Sequence, residues 1–167
     1  MQLIKARKED LQFIYSQMEQ NFIHEEIRDY SDAEKVFDNE KYVIYHIVVE
    51  GERVGFMTVW NLEGFTYLEH FVVYAQYRSK GYGGVALDML LNKSGLVVLE
   101  CEPPVTLMQK KRVDFYTRHG MIISEREYFQ PPYRKGGKGC KLKLLSNVEL
   151  TDFDKIVNVL YKEVYGV

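Results

Sequence analysis

Cysteine is scarce in this sequence: Cys101 and Cys140 are the only two in 167 residues. Two thiols cannot build a disulfide framework. No Cys/His spacing around them reads as a zinc site, so no metal is expected. Free thiols point to a cytoplasmic setting. An excess of one charge is also missing. The formal net charge is −2 and the pI about 6.1, which gives no general attraction for nucleic acid or an anionic membrane. The single basic run, Arg134 to Lys143, reads as a solvated loop. No apolar stretch approaches the roughly 20 residues of a membrane helix, and the first residues lack the apolar core of a signal peptide. Neither nucleic acid nor a membrane is therefore expected as a partner. Only four prolines are present, in two adjacent pairs, and at the first of these, Pro103-Pro104, the chain must break.

What is abundant is aromatic and aliphatic. Hydrophobic residues make up 46%, with 13 tyrosines and nine phenylalanines. That suits strands and pocket linings. The length suits one domain with one sizeable core, spanning residues 1–167. A homodimer is compatible with the sequence.

Along the chain, Leu3 to Ala6 reads as a strand. A helix follows, with Leu11, Ile14, Tyr15 and Met18 at helical spacing. Ser31 is the expected N-cap of a short helix reaching Asn39. Three runs rich in Val, Ile, Tyr and Phe come next: Tyr42 to Glu50, Arg53 to Asn61 and Phe65 to Tyr74. Turns at Gly51-Glu52 and Glu63-Gly64 are too short for parallel crossovers, so these runs form an antiparallel meander. A helix from Tyr82 to Asn92 then leads to Leu96 to Cys101, whose position after a helix predicts a parallel neighbour. Further elements are a helix from Val105 to Arg118, strands over Met121 to Phe129 and Lys141 to Leu145, and a last helix capped by Thr151. The expected class is mixed α/β, a mostly antiparallel central sheet with helices on both faces.

The stretch from Phe71 to Gly84 carries the chemistry. A strand runs through a turn into a helix, and the first N–H groups of that helix have no helical partner. They sit at the positive end of the helix dipole, where a phosphate accepts several bonds at once. Gly81, Gly83 and Gly84 let a ligand approach the backbone closely, and Arg78 and Lys80 add positive charge. The run Gly81-Tyr82-Gly83-Gly84-Val85-Ala86 also fits the dinucleotide pattern G-x-G-x-x-A. The preceding meander, in place of an opening βαβ unit, argues against that alternative. So does the lack of a second mononucleotide half.

Arg78-Ser79-Lys80-Gly81-Tyr82-Gly83 resembles the Arg/Gln-x-x-Gly-x-Gly/Ala motif of the GNAT superfamily of N-acetyltransferases. Asp114-Phe115-Tyr116-Thr117-Arg118-His119-Gly120-Met121 resembles that family's Phe-Tyr-x-x-x-Gly-Phe motif, with Met121 where Phe is usual. The order of elements fits over nearly the whole chain. The resemblance implies acetyl-CoA as co-substrate, with its diphosphate on Arg78, Ser79, Lys80, Gly81, Tyr82, Gly83 and Gly84. The pantetheine arm would run beside Phe71, Val72 and Val73, in a slot opened by a bulge that splays this strand from the next. It further implies transfer of the acetyl group to a primary amine by direct attack in a ternary complex. A non-catalytic acyl-CoA sensor is the alternative.

Amine acetylation needs a neutral amine, although an alkyl amine has a pKa of about 10. It also needs an oxyanion donor and a proton for the leaving thiolate. The resemblance points to Glu69 as base, to Tyr116 as acid, and to the Val73 N–H as oxyanion donor. Strand alternation places Glu69 with Phe71 and Val73 on one face and His70 with Val72 and Tyr74 on the other, unless a bulge intervenes. Glu100, at the end of the parallel strand, and Glu102, just after it, remain alternative bases. Gln109 stands near a place the family often fills with asparagine, and His119 is expected to cap its helix. Two segments qualify as acceptor loops. Phe22 to Tyr30 is rich in acids, and Tyr128 to Arg134 carries three aromatics.

Overall fold

A computed structural model describes all of residues 1–167. Gly51 and Gly64 adopt φ values of +84° and +87°. Only glycine takes that conformation without strain, and it lets strand β2 (Tyr42–Val49) turn into β3 (Glu52–Leu62) and β3 into β4 (Phe65–Val73). With β1 (Gln2–Lys5) on its outer edge, this meander is antiparallel throughout.

The rest of the sheet continues through β5 (Val97–Cys101), β6 (Ile122–Ile123), β7 (Tyr128–Gln130) and β8 (Cys140–Ser146). The strand order is β1-β2-β3-β4-β5-β8-β6, with β7 also on β8. Only β4 and β5 pair in parallel, because helix α3 (Tyr82–Lys93) crosses between them. Helices α1 (Leu11–Asn21), α2 (Tyr30–Phe37), α4 (Leu107–Arg118) and α5 (Phe153–Leu160) complete the fold. None of the helices is long and apolar enough to cross a membrane.

Strand alternation divides the core into two layers. Along β3, Phe56 and Trp60 face α1 and α5, meeting Leu11, Ile14, Met18, Phe153, Ile156 and Leu160. Met57 and Val59 face α3 and α4, meeting Ala86, Leu87, Leu90 and Val113. Leu160 is fully buried, so truncating it to alanine costs about 2–5 kcal/mol.

Some boundaries differ from expectation. Helix α2 starts before Ser31, because the extended Asp29 offers its carbonyl to the N–H groups of Asp32 and Ala33. Helix α5 begins after Asp152 rather than Thr151. The strand expected over Met121 to Phe129 is two strands. Ile123 pairs with Leu145 and Tyr128 with Leu142, so four residues on one side face two on β8 and bow outward.

Two irregularities shape the sheet's centre. The β4–β5 ladder contains only Thr66–Val97, Tyr67–Val98 and Leu68–Leu99. Beyond it each strand keeps its other neighbour: Val73 stays on Gly55 of β3 and Cys101 on Lys143 of β8. The strands therefore part after Leu68 and Leu99. At the same point β4 carries a bulge, since Leu68 opposes Val59 while His70 opposes Thr58, leaving Glu69 as the extra residue. A bulge bends its strand and re-aims side chains. The two-face alternation expected for Glu69 and His70 fails here, and their side chains stand 3.5 Å apart.

Candidate active site

The gap between β4 and β5 opens onto a cavity of about 680 Å³, floored by the start of α3. After β4 the chain makes a turn in which Ser79 and Gly81 take φ of +61° and +77°. Gly81 then caps α3. The N–H groups of Tyr82, Gly83 and Gly84 lie in the first helical turn, where no intrahelical acceptor exists. A Cβ at Gly83 would stand 3.6 Å from Val73, in open contact. One at Gly84 would stand 2.7 Å from the His119 ring, so a side chain there would have to push that ring aside. His119 ends α4, and its Nδ1 lies 2.6 Å from Asp88 of α3, joining the two helices behind the turn.

The expected cofactor residues divide here. Phe71, Val72, Val73, Arg78, Ser79, Gly81, Tyr82, Gly83 and Gly84 all line the cavity. Lys80 does not. Its ammonium lies 5.5 Å from the Tyr77 ring centre, outside the wall. Arg78 is tied back to the protein: Nε donates to the Val73 carbonyl at 3.0 Å and a terminal nitrogen to Asn21 Oδ1 at 2.6 Å. It braces the turn against α1 and adds positive charge beside it.

The open edge of β4 follows from its pairing. The Tyr74 N–H donates to Val54, so alternation turns the N–H groups of Phe71 and Val73 away from β3 and into the gap. Across that gap stands Tyr116, in contact with the cavity. Its ring packs against Phe115, which packs on Phe71. Burial pushes the Tyr116 phenol above its usual pKa, with Cys101 adding to the effect. It therefore keeps its proton at neutral pH and remains a donor.

Behind the same gap lies a second cavity of about 470 Å³. The two share Asn21, Phe22, Glu69, Glu100 and Arg112, so the carboxylates of Glu69 and Glu100 mark the junction. Their surroundings are opposite. The fully buried Glu69 side chain is paired with Arg28 at 2.7 Å and accepts from the Tyr133 hydroxyl at 3.1 Å. Burial is the largest single influence and would raise its pKa, but the Arg28 guanidinium and His70 together outweigh it and hold it down at about 2. Arg28 in turn donates to the Val164 carbonyl and lies 4.5 Å from the Tyr133 ring centre.

Glu100 has no cation beside it. It accepts hydrogen bonds from Tyr128, Gln130 and Tyr165, all neutral. Burial raises its pKa, and these donors only partly offset the rise. Neighbouring carboxylates with pKa values pushed apart are suited to separate roles.

The remaining candidates are placed as follows. His70 sets both ring nitrogens on protein partners, Nδ1 on Thr58 Oγ1 at 3.1 Å and Nε2 on the Glu26 carbonyl at 3.0 Å. A carbonyl can only accept, so Nε2 is the donor in that contact. Glu102 pairs with Arg112 at the rim of the second cavity. Gln109 closes a capping box with Thr106 at the start of α4. Both expected acceptor segments reach the second cavity, through Phe22, Ile23 and Glu26 from one and Gln130 and Tyr133 from the other.

Arg28, Tyr128, Gln130 and Tyr133 lie within those two segments, though their carboxylate partners give no local signal. Tyr165 has no signal in the sequence beyond its helix. It belongs to a π-helical turn (Tyr161–Tyr165) that ends the last helix and delivers its hydroxyl to Glu100.

Known proteins agree with this architecture. The acetyltransferase (GNAT) family model matches residues 8–121. A GNAT-family protein from Bacteroides thetaiotaomicron superposes with a TM-score of 0.94 and is 31% identical, over 100% of this chain and 99% of its own. A spermidine N-acetyltransferase variant from Vibrio cholerae reaches a TM-score of 0.65 at 12% identity, over 87% of this chain and 94% of its own. The ribosomal-protein-S18-alanine N-acetyltransferase of Escherichia coli reaches 0.64 at 14%, over 90% and 97%. At such identities these two show likeness of fold alone. A search of curated proteins finds no match. With the family model covering more than half of its length, this chain belongs to the GNAT acetyltransferase family.

Proposed function

We propose that this protein moves an acetyl group from acetyl-CoA to a primary amine, as one acetyltransferase domain spanning residues 1–167. The observation that carries the proposal is the parting of β4 from β5 after Leu68 and Leu99. It places a free strand edge, a helix start and a buried phenol around one cavity, and connects that cavity to a second one at two carboxylates.

The residues fit coenzyme A. The first-turn N–H groups of α3 suit a diphosphate, and the free N–H groups of Phe71 and Val73 suit the amides of an extended arm. Arg78, Ser79, Gly81, Tyr82, Gly83 and Gly84 would hold the phosphates, with Phe71, Val72 and Val73 beside the arm. When bound, acetyl-CoA supplies an acetyl group as a reactive thioester. The Val73 N–H polarises the carbonyl under attack. The Tyr116 hydroxyl donates to the sulfur as it leaves.

Glu100 removes the proton from the amine. A base works best with a pKa near the working pH, and the raised Glu100 meets that better than Glu69, which Arg28 and His70 hold at about 2. The base role expected for Glu69 thus moves to Glu100. Glu69 stays ionised at the junction and attracts the ammonium form of the acceptor. Two carboxylates at the junction and a phenol in the first cavity favour catalysis over acyl-CoA sensing.

The test combines calorimetric titration with acetyl-CoA and thiol release over a panel of amines. Binding together with amine-dependent release is expected. Binding with no release for any amine would favour the sensor, and no binding at all would overturn the reading.

A further inference from the structure

The acceptor side of the junction is strongly one-signed. Glu26, Glu69, Glu100 and Glu102 all line the second cavity. The lone cationic side chain on its wall, Arg112, is paired with Glu102, and His70 has both nitrogens engaged. Arg28 lies behind Glu69, bonded to Glu69 and to the Val164 carbonyl. No free cation stands on this wall to receive an acceptor's carboxylate or phosphate. The cofactor cavity lacks Glu26 and Glu102 and adds Arg78 and the start of α3 to the residues the two share.

A second, independent observation points to a ligand. Glu69 Oε2 is buried and has no hydrogen-bond partner. His70 Nδ1 stands 3.5 Å from it and is already hydrogen-bonded to Thr58 Oγ1. An unmatched carboxylate oxygen in a buried site is costly. Glu69 lines both cavities, so its carboxylate stands beside the junction where an acceptor nitrogen arrives.

We infer that the acceptor is a small dicationic amine: its reacting nitrogen meets Glu69 and Glu100 at the junction, and its second ammonium lies against Glu26 and Glu102. The inference rests on the transferase reading for the word acceptor, but its charge assignment stands on the cavity alone. Glu26 and Glu102 line the second cavity and not the first, so they are placed for the end of the ligand that does not react. A volume of about 470 Å³ suits a small molecule. An amino acid would set its carboxylate against like charge, which is unfavourable.

The experiment uses the full chain with coenzyme A bound and three amines of similar length: cadaverine, pentylamine and aminohexanoate. They differ in the far group, which is an ammonium, a methyl or a carboxylate. Binding is measured by calorimetry, and transfer separately by thiol release from acetyl-CoA. Cadaverine is expected to bind at least about tenfold more tightly than pentylamine, with aminohexanoate weakest. The preference should shrink on adding salt and in the Glu26→Gln/Glu102→Gln variant. The amide introduced at position 26 can still accept from the Ile23 N–H as the Glu26 carboxylate does. Equal binding of cadaverine and pentylamine, tighter aminohexanoate, or no binding of any of the three would overturn the inference. Preferential cadaverine binding without thiol release would leave it standing and remove the transferase reading instead.

Discussion

The Tyr165 hydroxyl lies 3.0 and 2.8 Å from the two oxygens of Glu100, which places a residue of the final turn on the proposed base. A hydrogen bond to a carboxylate favours its charged form. Tyr165→Phe removes that donor while Tyr128 and Gln130 remain. The Glu100 pKa should rise further, and the acidic limb of the kcat/KM profile should move to higher pH by about one unit. A limb that stays in place while overall activity falls would reduce Tyr165 to a packing residue.

Tyr116→Phe keeps the ring packed on Phe115 and removes only the hydroxyl. Loss of a general acid lowers turnover by about a hundredfold, with acetyl-CoA affinity nearly unchanged. Steady-state kinetics and titration separate the two effects. Unchanged turnover would withdraw the acid role.

Gly83 and Gly84 should respond differently to substitution. A Cβ at Gly83 has room, so Gly83→Asp should fold with a near-native Tm while its charge and bulk repel the diphosphate and abolish coenzyme A binding. Gly84→Ala pushes a methyl into the His119 ring and strains its contact with Asp88. It should lower the Tm. Reversal of these two outcomes in thermal melts and titrations would mean that the turn is wrongly assigned.

Arg28 and Glu69 form a buried pair, and removing one partner strands the other. Arg28→Met should cost about 3–5 kcal/mol by denaturant unfolding, and the double variant Arg28→Met/Glu69→Leu should recover part of that. The pair also sets a pH window. Glu69 is depressed from an unfolded value of about 4.3 to about 2. Its contribution is present above the unfolded value and is lost as pH falls through the folded one. Stability should therefore decline between about pH 4.3 and 2, and the slope should lessen in the double variant. An equal acid slope there would show that other carboxylates carry it.

The turn from Arg78 to Gly84 was legible because its signal is local: glycines at fixed spacing between an apolar run and a helix. The same holds for the meander, whose short turns leave one way to pair. Glu69 was found as a residue, but its surroundings were not. Its bulge arises from the register of β3 against β4, and Arg28 is 41 residues away. The charge of Phe22 to Tyr30 and the aromatics of Tyr128 to Arg134 marked both as acceptor loops, while their approach to each other across the junction is tertiary. Tyr165 stands 65 residues from Glu100 in a segment whose apolar stripe spoke only of packing.

The three-residue β4–β5 ladder gives the sheet two edges in its interior. Unpaired strand edges elsewhere are sites of edge-to-edge aggregation. Here they lie within a cleft, where another chain's strand has little access but a narrow extended ligand fits. Coenzyme A would then complete the sheet as a missing strand does. The Phe71 and Val73 amides should exchange hydrogen rapidly in the free protein and become protected once the ligand fills that edge.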